Sequence, residues 1–232
     1  YEMLFMFLFL ISAFLRFYRV NENLVFHGEL GDNYLAIKNI LVTGVIPLLG
    51  PPTSHPWLSF GPLYYWIFSP VLLFAQYNPL GVAYSFAFIN TFLVGINYLV
   101  VSKLLGKRTA LISSIIIALS SQYLIFARES RFFSLTLLLF YPIYYYFLRK
   151  RYFLGFLWFS IMLNFHLTPI IYVPAIALFL YGRKNELSAK IVRNSLFGFF
   201  IPQLPFIAYN LLHKGEMLSQ SLLWIPYRIA GF

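Results

Sequence analysis

Residues 79–108, PLGVAYSFAFINTFLVGINYLVVSKLLGKR, decide the class of this chain. No charge interrupts the run from Pro79 to Val101, and then Lys103, Lys107 and Arg108 arrive together. An apolar helix of about 20 residues matches the hydrocarbon thickness of a bilayer. A cluster of cations at its end is what the positive-inside bias of membrane helices produces.

Working outward, the same pattern recurs. Arg149, Lys150 and Arg151 form a second basic connector, and Arg183, Lys184, Lys190 and Arg193 a third. Apolar runs occupy residues 3–18, 61–77, 79–101, 109–127, 132–148, 152–166, 169–181 and 195–212. The three connectors share one side if an even number of spans separates them, and the pairs 109–127 with 132–148 and 152–166 with 169–181 satisfy that. Counting back to a cytoplasmic start for 3–18, only one of 61–77 and 79–101 crosses. The former is weaker, because Pro62 and Pro70 interrupt it and no cation follows it. It reads as an interfacial or re-entrant helix inside a long outer loop, residues 19–78.

The predicted fold is therefore an all-α polytopic membrane protein with about seven transmembrane helices. A long first extracytoplasmic loop carries juxtamembrane helices, and residues 1–232 form a single module. The apolar stretch at residues 4–15 reads as a first span or signal anchor, and the chain as the N-terminal part of a longer protein.

Composition agrees: 60% of residues are hydrophobic, 21% aromatic and 10% charged, with a mean hydropathy of +0.75. The formal net charge of +10 would suit a nucleic-acid partner, but the cations sit between apolar runs as topology signals. No nucleic acid is expected. Cysteine is absent, which removes disulfides, thiolate metal sites and a cysteine nucleophile. P-loop, dinucleotide-binding and nucleophile-elbow patterns are also missing.

Six of the seven carboxylates, all but Glu186, can be placed on the outer side. In the outer loop, residues 26–34 read FHGELGDNY. Glu29 and Asp32, three apart, converge on one point if this segment is helical or turned. The alternative is an ordinary solvated loop. Residues 47–56, PLLGPPTSHP, are too rich in proline for a helix and form either a rigid site wall or a surface connector around His55. Gly61-Pro62-Leu63-Tyr64-Tyr65-Trp66 opens a helix whose aromatics belong at headgroup level.

Between the third and fourth spans, Arg128, Glu129 and Arg131 put two guanidinium groups on the outer face, where the charge bias does not favour them. Arginine suits bidentate recognition of phosphate; an ion pair with headgroup contact is the simpler reading. His166, at the outer end of a span, shares their level. No HExxH-like spacing points to a metal, although Glu29, Asp32 and His166 could assemble a divalent-cation site in three dimensions.

In order along the chain, four features resemble one family. They are the acidic motif at 29–33, an HPPLYYW-like helix start, a basic LxGKR connector at 104–108 and an SRxxR-like segment at 127–132; His166 adds a fifth. The chain resembles the GT-C glycosyltransferases that use polyprenyl-phosphate sugars, the protein O-mannosyltransferase and aminoarabinose transferase branch of glycosyltransferase family 39 type. It departs from that pattern in reading Gly-Asp-Asn-Tyr where relatives have an Asp-Glu pair. His55-Pro56 is also separated from Gly61-Pro62.

The resemblance implies a multi-pass enzyme of the plasma membrane with an extracytoplasmic active site. It would transfer a sugar from a polyprenyl-phosphate donor to a lipid, protein or polysaccharide acceptor, with inversion. Asp32 or Glu29 would be the general base. Arg128, Glu129, Arg131, His166, His55, Tyr64 and Tyr65 would bind substrate, and no cofactor beyond an optional divalent cation is implied. A lipid-linked-sugar transporter and an inactive scaffold are the alternatives; neither repeated halves nor midplane charges favour the transporter.

Overall fold

The computed structural model describes residues 1–24, 26, 28–55 and 57–230. His27 of the 26–34 stretch and Pro56 of the His55-Pro56 pair lie outside them. About 80% of the chain is helical and no strand occurs among the described residues, so the all-α expectation is met. The elements run α1 (Glu2–Phe17), α2 (Val20–Asn23), α3 (Gly28–Thr43), α4 (Leu63–Phe74), α5 (Pro79–Leu105), α6 (Lys107–Leu119) and α7 (Ser121–Arg128). They continue with α8 (Leu135–Leu148), α9 (Tyr152–Phe165), α10 (Val173–Tyr181), α11 (Ala189–Phe200), α12 (Leu204–Leu212) and α13 (Glu216–Ile229).

Local sequence explains where the longest helix starts and stops. Asn78 caps α5 by accepting the Leu80 N–H at 3.0 Å, and Pro79 occupies the first turn, where its missing N–H costs nothing. Gly106, at φ +90°, ends it in a conformation that side-chain-bearing residues avoid. Helix α5 is the central post, packed on α1, α4, α6, α7 and α8. Polar contacts pin the neighbours: Asn97 Nδ2 donates to Ser113 Oγ and Ser114 Oγ of α6 at 2.9 and 2.8 Å. On the other flank α11 lies close to α9, where an added Cβ at Gly198 would overlap the Phe153 carbonyl.

The expectation of about seven spans is met only in part. Among the described residues two helices, Pro79–Leu105 and Ala189–Leu212, are long and apolar enough to cross a membrane, and a third if the bent pair α6–α7 is one span. That pair breaks by 59° after Leu119, inside the stretch read as one span at 109–127. Helix α9 has 14 residues, about 21 Å at 1.5 Å per residue, short of the ~30 Å core. The hydrophobic runs were longer than the helices because 3-10 turns at Phe132–Ser134 and Thr168–Tyr172 interrupt them.

All three basic connectors gather at one end of the molecule. Lys103 Nζ and Arg149 Cζ lie 5.5 and 5.6 Å from the centroid of the same ring, Tyr145. Lys150 pairs with Glu186 at 2.7 Å, joining the second connector to the third. Glu2 pairs with Lys107 at 2.7 Å, so Glu2 stands at the basic end, and the grouping of six carboxylates on the other side is corrected to exclude it.

Outward faces are strongly apolar. On α1, Met3, Phe7, Leu10 and Phe14 form a stripe at helical spacing, each more than 60% exposed.

Candidate active site

Helix α3 carries the acidic motif. Leu30, Tyr34 and Ile37, spaced i, i+4, i+7, turn into the core and set the helix's rotation. Glu29 and Asp32 therefore fall on its exposed side, one turn apart, with Glu29 in the first turn where the helix dipole favours a negative charge. Both line one open cavity of about 750 Å³. The segment is helical, and the two acids converge as the spacing suggested.

The proline-rich loop forms the wall. The Gly50 N–H donates to the Phe60 carbonyl, the Phe60 N–H to the Pro51 carbonyl and the Thr53 N–H to the Leu58 carbonyl, each at 2.9 Å. An isolated antiparallel bridge, Pro52 to Ser59, closes the same hairpin. Pro51, Pro52, Thr53, Ser54, His55, Trp57 and Leu58 all line the cavity, so this stretch is a cavity wall rather than a surface connector. The approach is so tight that a Cβ on Gly50 would overlap the Gly61 carbonyl, and one on Gly61 the Asn164 amide of α9.

His166 ends α9 in extended backbone and reaches the same cavity, half-buried. The Thr168 backbone N–H donates to its Nδ1 at 3.1 Å, and the Thr168 hydroxyl also meets that nitrogen. A backbone N–H can only donate, so Nδ1 is the acceptor and the neutral ring carries its proton on Nε2. The ring stacks on Phe60 at 5.2 Å and meets the edge of Phe133 at 6.1 Å. Burial pushes this imidazole below its ordinary value, with the Glu29 carboxylate opposing the shift. Burial thus favours its neutral form.

Tyr64 and Tyr65 do not line the cavity; they are buried behind it. Tyr65 Oη donates to Asn33 Oδ1 and Tyr64 Oη to the Ser130 carbonyl, both at 3.2 Å. These bonds tie α4 to the acid-bearing helix on one side and to the 128–131 connector on the other. Burial pushes the Tyr65 phenol up to about 12, with Asp32 adding to the effect.

Arg128, Glu129 and Arg131 also lie outside the cavity lining. Arg128 Nη2 donates to the Leu15 carbonyl at 3.2 Å, at the end of α1. Arg131 Nε stands 3.2 Å from Glu129 Oε2, and its guanidinium rests 5.8 Å over Phe133. The local ion pair is thus the arrangement found. Among the described residues no three His, Asp or Glu side chains stand close enough together to hold a metal ion, Glu29, Asp32 and His166 included.

Several cavity residues escaped the sequence reading: Trp57, Phe60, Phe132 and Trp224. Trp57 is two positions beyond His55 and was legible as part of the same wall. Trp224 belongs to α13, beyond the last apolar run, and no pattern in the chain connects it to His55.

Comparison with protein-family models, with curated proteins and with solved structures finds no significant match to this chain.

Proposed function

We propose that this chain is a multi-pass membrane glycosyltransferase that moves a sugar from a polyprenyl-phosphate donor to an acceptor hydroxyl. The single observation carrying this reading is the convergence of Glu29, Asp32, His55 and His166 on one cavity of about 750 Å³. Such a volume, lined by aromatic rings and a few polar groups, is that of a small-molecule site. In this reading the seven spans are α1, α5, α6–α7, α8, α9, α10 and α11–α12, with α4 re-entrant. The connectors gathered around Tyr145 face the cytoplasm and the cavity faces outward. The exposed apolar stripe of α1 supports a lipid surround, since a face of that extent marks a surface covered by membrane or partner.

The acceptor oxygen attacks the anomeric carbon as the bond from that carbon to the phosphate oxygen breaks, giving inversion. The leaving polyprenyl phosphate takes the bonding electron pair, and the acceptor proton passes to one carboxylate of the Glu29 and Asp32 pair. His166 offers its Nε2–H to the phosphate. The phosphate contact suggested for Arg128 and Arg131 falls to His166 here, because His166 lines the cavity and those arginines do not. An apolar cavity of about 330 Å³ beside α8 and α10, lined by Phe140, Ile143, Phe147, Ile176 and Phe179, suits a prenyl chain. It shares Phe140 and Tyr172 with a smaller one that reaches Thr168, next to His166.

The test is transfer of radiolabelled sugar from a polyprenyl-phosphate donor by the protein in liposomes. Asp32→Asn or Glu29→Gln should lower transfer roughly 100-fold or more, the range expected for loss of a general base. Wild-type rates in both single variants and in the double variant would overturn the assignment. Donor carried across the bilayer uncleaved would make the protein a transporter.

A further inference from the structure

Part of the cavity wall is aromatic. The rings of His55 and Trp57 stack at 5.4 Å with 17° between their planes. Trp224 stands 5.0 Å from His55 at 60° and 6.4 Å from Trp57 at 55°. All three are half-buried and line the cavity that holds Glu29 and Asp32. Trp57 is held by the proline hairpin. Trp224 is brought in from α13, which enters through Gly215 at φ +71° and is anchored by buried Met217 and by the Leu218 N–H on Asn210 Oδ1 at 3.0 Å.

Tryptophan at a membrane interface ordinarily turns its ring toward headgroups. These two indoles turn instead toward a cavity shared with carboxylates and with Asn33, Thr53 and Ser54. A matching ligand has one flat apolar face for the electron-rich indole and a rim of hydroxyl groups for the polar atoms. A pyranose ring has both: axial C–H groups on one face and hydroxyls around its edge. An alkyl chain would leave the carboxylates without partners, and a serine or threonine side chain has no flat face to add to the indoles, which already meet His55, each other and, at Trp224, the Arg228 guanidinium at 5.7 Å.

We infer that Trp57 and Trp224, braced by His55, form a stacking platform for a pyranose ring of the acceptor, so that the acceptor is a saccharide. The acceptor role rests on the glycosyltransferase reading; saccharide binding at the two indoles does not.

The experiment applies the full chain in detergent to an array of bacterial and eukaryotic cell-surface di- to tetrasaccharides, beside Trp57→Ala, Trp224→Ala and the double variant. Wild type should bind at least one saccharide, and each alanine variant should bind it tenfold or more weakly. Intrinsic fluorescence offers a measurement that needs no variant: the chain has four tryptophans, and two of them stand on the platform. The bound saccharide should therefore change the emission strongly. No binding anywhere on the array, binding unchanged in the double variant, or binding without a change in emission overturns the platform. Wild-type transfer onto a peptide by the double variant overturns the acceptor role of the platform and leaves the glycosyltransferase reading intact. Tryptophan-dependent binding by a protein that never cleaves the donor would sustain the platform and defeat the glycosyltransferase reading.

Discussion

The Tyr65 hydroxyl donates a hydrogen bond of 3.2 Å to the Asn33 side-chain carbonyl, and both residues are buried. Asn33 directly follows Asp32, so this bond fixes the rotation of α3 at the point where its acids face the cavity. It also explains the Asp-Asn sequence at 32–33: the amide serves as a buried acceptor where a carboxylate would carry a desolvated charge.

Asn33→Ala leaves the Tyr65 hydroxyl buried without its partner, an expected cost of about 1–3 kcal/mol. Asn33→Asp should cost at least as much, through the unpaired charge. Thermal unfolding in detergent checks both, and a double-mutant cycle with Tyr65→Phe should return a coupling well above zero. Additive losses would mean that the bond is not formed.

Arg16 is fully buried without a carboxylate. Its guanidinium donates to the Ile117 and Ala118 carbonyls at 3.1 and 3.3 Å and to Ser12 Oγ at 2.6 Å. Those carbonyls belong to the last turn of α6, orphaned where the helix breaks, and a cation there meets the negative end of the dipole. Arg16→Met should destabilise the fold by about 1–3 kcal/mol for each carbonyl exposed to the apolar interior. Arg16→Lys should recover little, since one ammonium lacks the planar fork. A methionine variant as stable as wild type would remove this capping role.

Gly61→Ala should overpack the contact with Asn164, costing about 1–3 kcal/mol and disturbing the hairpin that bears His55 and Trp57. Adding Asn164→Ala removes the amide in the way and should restore part of the stability lost. If Gly61→Ala alone unfolds at the wild-type temperature, the close approach of α9 to this loop is wrong.

His166 links stability to acidity. Its folded value lies below the ordinary 6.5, so the unfolded chain binds a proton first as the pH drops. The neutral ring's contribution is complete above about pH 6.5 and is lost as the pH falls through the folded value. Melting temperature measured from pH 7.5 to 5 should fall less steeply in His166→Gln than in wild type. Parallel slopes would exclude His166 as the source.

The helical class, the acidic pair and the clustering of cations at one end were legible because each depends on local composition. Charge-free runs between basic clusters are one-dimensional signals, and Glu29 with Asp32 needs only a helical period to converge. Helix lengths were less legible. The run at 109–127 is apolar apart from Thr109, four serines and Gln122, yet the chain bends by 59° after Leu119, and Arg16, about a hundred residues earlier, stabilises that break.

The sequence by itself determined an apolar helical chain with seven acids, three of them between residues 19 and 78, because hydropathy and charge order are properties of neighbouring residues. Only the tertiary structure decided which polar groups share the cavity. It turned Arg128 to Leu15 and Arg131 to Glu129, buried Tyr64 and Tyr65 behind α3, and brought Trp224 to His55 across 169 positions of chain. Those choices rest on packing and on satisfying buried polar atoms, which depend on what the folded chain places alongside each residue and not on what precedes or follows it.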